Sequence, residues 1–278
     1  MIQRVFAALL AGCFAGSALA WGSEGHSITA EIAQRRLTPE AAAAVERVLG
    51  RGYSLASVAS WADNVRGQRP ETYNLHFVDI PVAVSTYDPA KHCAPLPGGD
   101  CVIAELDRLK TQLACAPTAA LKLDALRFAV HFIGDTHQPM HTVDEEKGAN
   151  GIKVEVEMRG LRLSARMTPE KKASNLHALW DSYLIRETVW DWGAYVDRLE
   201  GGWLKANEDK AGGTPLDWAL QSHAVAAQVW PLTPDDRKIG DDYYKKVLPL
   251  LDQQLGLGGI RLARFLNEAY GAGAACKP

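Results

Sequence analysis

Residues 118–138 read Thr118-Ala-Ala-Leu-Lys-Leu-Asp-Ala-Leu-Arg-Phe-Ala-Val-His-Phe-Ile-Gly-Asp-Thr-His-Gln138, and this stretch decides the fold class. Leu121, Ala125, Phe128 and Phe132 recur at steps of four and three, which places them along one face of an α-helix. Pro139 ends the helix, because it lacks the amide hydrogen that another turn needs. The helix also carries His131 and Asp135, four residues apart and therefore on a common face.

The helical period continues outward. Thr38-Pro39-Glu40 is a capped start with proline at the first helical position, and Gly50 is the stop. Over 100–113, Val102, Leu106, Leu109 and Leu113 keep helical spacing. Further helices are expected over 174–186, 191–204, 215–229, 235–255 and 259–270. One stretch departs from this. Ile152, Val154, Val156 and Met158 alternate with polar residues, and Leu161 and Leu163 follow across Arg159-Gly160, which signals a β-hairpin. Residues 75–80 read as another short strand. The expected fold is mainly α and single-domain, with a small β-hairpin. The βαβ alternation of a Rossmann sheet and the strand ladder of a sandwich are both missing.

The 278 residues carry 30 Lys and Arg against 33 Asp and Glu, a net charge of −3. With 47% hydrophobic and 23% charged residues, the chain is neither disordered nor collagen-like. The charge balance argues against a broad basic face of the kind that holds duplex DNA by counterion release. The first residues hold one cation, Arg4, then an apolar run from Val5, then Ala18-Leu19-Ala20, the small-residue pattern of a signal-peptidase site. The run is short for a membrane span, which needs ~20 apolar residues. The expected organisation is a signal peptide over 1–20, removed on export to the periplasm or the medium, and one domain over 21–278. That domain has no membrane anchor and is expected to be a monomer. In an oxidising compartment Cys93, Cys101, Cys115 and Cys276 form disulfides. The Pro/Gly-rich stretch 94–100 reads as a closed loop between Cys93 and Cys101, which leaves Cys115 for Cys276. Closing so short a loop contributes roughly 2–3 kcal/mol.

Eight histidines are present, and two sit in identical frames, His131-Phe-Ile-Gly-Asp135 and His177-Ala-Leu-Trp-Asp181. A histidine nitrogen and a carboxylate on one helix face can grip a single ion, and zinc takes this mixture at roughly 2.0–2.2 Å. One such pair is an ordinary surface contact, whereas two copies form a pattern. Gln138-Pro139-Met140-His141 then turns the chain so that His141 returns toward the same end. His137 lies about 240° round the helix from His131 and points away from that face. His92 and His223 show no partner pattern. After cleavage the chain would open on Trp21-Gly-Ser-Glu-Gly-His26, where a free α-amine and the carbonyl of the same residue can form a five-membered chelate.

These motifs, with Ser60-Trp-Ala-Asp-Asn-Val-Arg66, Leu75-His-Phe-Val-Asp79 and Asn175-Leu-His-Ala-Leu-Trp-Asp181, resemble the zinc-dependent single-strand nucleases and 3′-nucleotidases of the nuclease S-one/P-one family. They stand in the family's order over more than half of the mature chain. The resemblance implies three Zn²⁺ per chain. Asp63, His76, His131 and Asp135 would hold one. The Trp21 amine and carbonyl, His26 and Asp135 would hold a second. His141, His177 and Asp181 would hold the third. It also implies a secreted endonuclease that cuts single-stranded DNA and RNA to 5′-phosphorylated products, removes phosphate from 3′-nucleotides, and uses a zinc-bridging hydroxide as nucleophile.

Physical logic agrees with that assignment. Three Zn²⁺ exceed the charge of Asp63, Asp135 and Asp181, and the surplus can hold a phosphodiester in a protein without a basic patch. Asp63 would orient the nucleophile and Arg66 would stabilise charge on the phosphoryl oxygens. Phe77 would stack on a base and Asp79 would accept its hydrogen bonds, which favours strands whose base faces are open. The chain has Gly148-Ala149-Asn150 where members often have Gly-Gly-Asn, so Ala149 bears on how Asn150 edges the base site. Zinc phospholipase C is the nearest rival. Four residues separate Trp21 from His26, and Asp181 stands where phospholipases tend to have Glu, and both features favour the nuclease. An exported zinc-binding protein without activity would close its coordination shells, whereas this ligand set leaves room for water.

Overall fold

The computed structural model describes residues 21–159, 173–271 and 276. The chain runs through α1 (Ser23–Gln34), α2 (Pro39–Leu49), α3 (Trp61–Val65), α4 (Val102–Cys115), α5 (Ala119–Thr136), α6 (176–188), α7 (Trp192–Gly201), α8 (Pro215–Val229) and α9 (Asp241–Tyr270). Side-chain caps set several starts. Thr38 accepts from the Ala41 amide at 3.3 Å, Thr118 from Leu121 at 3.2 Å, and Thr214 with Asp217 forms a capping box. Within α6, Leu179–Tyr183 is a π-helical turn, and it carries Asp181. Such widened turns recur at functional sites.

Two helices are expected over 235–255 and 259–270, but α9 runs unbroken for 30 residues. Its glycines mark close approach, not a break. A methyl group at Gly256 would lie 2.3 Å from the Trp203 ring, and one at Gly259 2.4 Å from Ile32 of α1. The first helix, α1, was not expected at all. Gly25 lies inside it, where a Cβ would meet the Trp21 side chain at 2.9 Å.

The β structure is a three-stranded sheet. β1 (Lys153–Val156) pairs antiparallel with β2 (Ala173–Asn175) and parallel with β3 (Lys238–Ile239). The alternation of β1 buries Val154 and Val156, as its period requires. The expected second limb of the hairpin, with Leu161 and Leu163, lies outside the described residues. The strand expected over 75–80 does not form. Pro70–His76 is a 3₁₀ helix, and the extended residues after it are tied to 141–144 by Val78 N–H to the His141 carbonyl at 2.9 Å and by Asp144 N–H to the Ile80 carbonyl at 3.2 Å.

Two apolar clusters form the core, and α1 and α9 serve both. Ala30, Ala33, Leu262 and Phe265 belong to one, and Ile28, Ile32, Leu251 and Leu255 to the other. Each fully buried Leu, Ile or Phe contributes about 1.5–3 kcal/mol. This packing holds α1 against α5 and fixes the two helices that carry His26, His131 and Asp135. Disulfides join Cys93 to Cys101 and Cys115 to Cys276, with Cα separations of 5.0 and 5.3 Å. No helix among the described residues is long and apolar enough to cross a membrane.

Candidate metal centre

Three histidines are oriented by backbone carbonyls. Nδ1 of His131 faces the Ala59 carbonyl at 2.7 Å, Nδ1 of His141 the His76 carbonyl at 2.7 Å, and Nδ1 of His177 the Gly148 carbonyl at 2.6 Å. A carbonyl only accepts, so each Nδ1 carries the hydrogen and Nε2 is the nitrogen that faces the site. In the neutral rings of His141 and His177 the Nε2 lone pairs converge, since the two atoms lie 3.1 Å apart. Nε2 of His131 faces Nδ1 of His76 at 3.2 Å. The facing lone pairs of His141 and His177 repel unless a cation lies between them. Carbonyl partners on the opposite nitrogen are the usual way in which metal-bound histidines are held.

The carboxylates complete the donor sets. Asp135 is fully buried. Its Oδ2 lies 3.0 Å from His76 Nδ1 and 3.3 Å from His131 Nε2, while its Oδ1 lies 3.3 Å from His26 Nε2. It therefore stands between His26 on one side and the His76–His131 pair on the other. Asp63 places Oδ1 3.5 Å from His131 Nε2 and 3.7 Å from His76 Nδ1. Asp181 places Oδ2 3.5 Å from His177 Nε2. The donors gather as His26/His131/Asp135, Asp63/His76/His131 and His141/His177/Asp181, with the atoms of each set within 4.8 Å of one another. Both ring nitrogens of His26, Nε2 of His76, and one oxygen each of Asp63 and Asp135 are buried without a hydrogen-bond partner. These donors fit metal ions.

Electrostatics point the same way. Burial, and then the neighbouring histidines, push His26, His76 and His141 well below the usual histidine range. Burial pushes Asp135 and Asp181 well above the usual carboxylate range. Burial also opposes the charge on His131, but Asp135 and Asp63 outweigh it and hold that ring at about 9. Cations among these groups would reverse the penalty on the carboxylates.

The Trp21 side chain is fully buried and the Gly22 amide donates to the Asp181 carbonyl at 2.9 Å, so Trp21 and Gly22 lie beside the third donor set. The cleavage after Ala20 lies outside the described residues. The Arg66 guanidinium stacks on Tyr73 at 4.0 Å, and Tyr73 meets Phe77 edge-on at 6.0 Å. Phe77 is half-buried. Asp79 is solvent-exposed as a residue, yet burial of its carboxyl group and the nearby Asp144 raise it to about 6. The Asn150 amide donates to the Lys147 carbonyl at 2.8 Å, which braces the turn before it.

Of the histidines left unassigned, His137 is buried between the Ile133 carbonyl at 2.7 Å and Arg261 at 2.9 Å, away from the donors. His223 is buried as well, with its ring nitrogens at the Thr142 and Val84 carbonyls, 2.8 and 2.9 Å away. His92 accepts from the Asp88 amide at 3.0 Å. Sequence reasoning missed Gln138, which is fully buried and donates to Asp181 Oδ1 at 2.6 Å. It also missed Tyr73 as the platform under Arg66. A glutamine directly before Pro139, among candidate ligands, was the available signal.

Adjoining His/Asp donor sets, two of which share His131, could hold metal ions side by side, as the centres of metal-dependent hydrolases do. Residues 21–271 match the S1/P1 Nuclease family, and the chain belongs to it. It is similar to Nuclease P1 of Penicillium citrinum, with 30% identity over 282 residues, covering 91% of this chain and 98% of that protein. It is also similar to Endonuclease 2 of Arabidopsis thaliana, with 33% identity over 286 residues, covering 90% of this chain and 91% of that protein. Nuclease S1 of Aspergillus oryzae is 26% identical over 281 residues, covering 89% of this chain and 91% of that protein.

Proposed function

We propose that this chain is an exported endonuclease that cuts single-stranded DNA and RNA to 5′-phosphorylated products with three zinc ions, and that it also dephosphorylates 3′-nucleotides. The convergence of histidine lone pairs on buried carboxylates carries this reading. His131, His76, Asp63 and Asp135 would hold one ion. His26 and Asp135 would hold a second with the Trp21 amine and carbonyl, and His141, His177 and Asp181 a third. Bound zinc supplies Lewis acidity toward the phosphoryl group and lowers the pKa of water toward neutrality.

The chain's own residues do the rest. Asp63 has the least enclosed carboxylate of the three acids and is placed to orient the attacking water and take its proton. Arg66, held on the Tyr73 ring, neutralises charge growing on the phosphoryl oxygens. Phe77 offers a ring face to a base and Asp79 accepts hydrogen bonds from the base edge. A duplex hides both base surfaces, so single strands are preferred. The apolar leader and the two disulfides support export and processing to Trp21. The processed chain acts as a one-domain monomer.

The test is release of acid-soluble nucleotides from single-stranded and duplex DNA by the zinc-loaded mature protein, with phosphatidylcholine hydrolysis measured beside it. Fast release from single strands and about three zinc per chain are expected. Lipid hydrolysis without nucleotide release would assign the site to a phospholipase.

A further inference from the structure

We infer that the hollow bounded by α1, residues 49–60, α3 and α5 is a second nucleotide subsite. It would take the nucleotide across the scissile phosphate from the one that meets Phe77, and this rests on the nuclease reading above. The hollow measures about 550 Å³, within the ~300–1,000 Å³ of small-ligand pockets. Its walls include Ser23, Ser27, Tyr53, Trp61, Asn64 and Arg127, and no carboxylate lines it. That is unusual in a chain with 33 acidic against 30 basic residues. The other large hollow shows the contrast, because Arg36 and Arg264 there face Glu208 and Glu268.

Arg127 supplies a cation with spare capacity. Its guanidinium lies over the Trp61 indole at 4.8 Å, and its side chain is 26% exposed. Its nearest acid, Asp124, is 3.9 Å away and pairs more closely with Arg69 at 2.8 Å. Tyr53 is 65% exposed and is the outermost aromatic of the hollow. An exposed ring, a stacked arginine and a rim of hydroxyls suit a base and a phosphate together.

Position ties the hollow to the metal centre. Trp61 and Asn64 lie three apart on α3 and flank Asp63, and Ser23 and Ser27 lie four apart on α1 and flank His26. The same two helices therefore present metal donors and hollow-lining side chains. A strand whose phosphate sits at the donors would reach Phe77 on one side and this hollow on the other.

The experiment compares Tyr53→Ala and Arg127→Gln with the parent protein on oligothymidine and on 3′-thymidine monophosphate, which has no nucleotide to place in the hollow. The ratio of the two kcat/KM values is expected to fall roughly five- to a hundredfold, through KM. An equal fall on both substrates, or none on either, overturns the subsite. Fluorescence anisotropy of a labelled, hydrolysis-resistant phosphorothioate oligothymidine on the zinc-loaded protein gives a readout independent of turnover. Weaker binding by both variants is expected, and unchanged binding overturns the proposal. If the parent hydrolyses neither substrate, the nuclease reading fails and the anisotropy arm still decides the subsite. Tyr53 projects into solvent, so its truncation leaves the fold intact.

Discussion

His177 donates from Nδ1 to the Gly148 carbonyl at 2.6 Å, and Gly148 sits in a run of left-handed residues in which Glu146, Lys147, Gly148 and Ala149 have φ of 52°, 58°, 61° and 64°. This conformation costs roughly 1–2 kcal/mol for a residue with a Cβ. It persists because the turn is braced at both ends. Lys147 N–H donates to the Asp144 carbonyl at 3.1 Å, and Gly151 N–H to the Glu146 carbonyl at 2.9 Å. The turn thereby sets the tautomer and direction of a donor in the third set.

Gly148→Ala tests that coupling. A Cβ there would lie 2.6 Å from the Met140 carbonyl, which is backbone and gives way little. The expected result is loss of about one zinc per chain and at least a roughly tenfold fall in activity, read by metal analysis and nucleotide release. Ala149→Gly has the opposite sign, because it relieves a left-handed alanine. It is expected to stabilise the protein by about 1 kcal/mol in denaturant melts, and destabilisation would show that the Ala149 methyl packs better than its backbone suffers.

Asp135 and His137 are two residues apart and separate metal binding from packing. Asp135→Ala removes the carboxylate between two donor sets, so zinc content is expected to fall by more than one ion and turnover to collapse. His137→Ala is expected to keep its zinc but melt earlier, by roughly 2 kcal/mol, because Arg261 loses a buried acceptor. Burial and then Arg261 lower His137 to about 3, against ~6.5 for the unfolded chain. The unfolded state binds the extra proton between those values. Stability is therefore full above about 6.5 and falls as pH drops toward 3, and the variant should show a shallower acid slope.

How much of this was readable depends on where the information lies. The starts and lengths of α2, α5 and α8 follow from caps and apolar period. His131–Asp135 and His177–Asp181 were legible because four residues on a helix fix a face. Asp63 and His76 are brought to His131 only by tertiary packing, and no spacing reveals them, so the family resemblance alone placed them. The carbonyls of Ala59, His76 and Gly148 were invisible because backbone partners leave no side-chain signature. Glycines misled in α1 and α9, where they mark contact with Trp21, Trp203 and Ile32 and not the end of a helix.

Phe77 and Asp79 predict substrate effects with a pH signature. Phe77 is half-buried, so Phe77→Ala is expected to raise KM for short single strands roughly five- to a hundredfold with little change in melting. A large melting shift with unchanged KM would make it a packing residue. Asp79, held up at about 6 by burial and Asp144, is ionised above that pH, and in the proposed base contact both its oxygens would then accept. KM for guanosine-bearing strands is expected to rise as pH falls through about 6, and Asp79→Asn should flatten that dependence.

The proposed processing to Trp21 carries the sharpest test. Trp21 is fully buried in the cluster that includes Leu184 and Ile185, and a methyl group on Gly22 would lie 2.1 Å from the Ser182 hydroxyl. Packing thus fixes Trp21 whatever precedes it, and an extension changes the chemistry of its nitrogen more than its place. A nitrogen in an amide bond is a poor zinc donor, whereas a free neutral amine is a good one. A matched pair of proteins differing only before Trp21 should therefore melt alike without metal. The extended form should hold fewer zinc ions and release nucleotides at least about tenfold more slowly. Proteolytic removal of the extension should restore both. Equal zinc and equal rates in the two forms would take the Trp21 amine out of the metal centre and leave His26 and Asp135 to hold that ion with water.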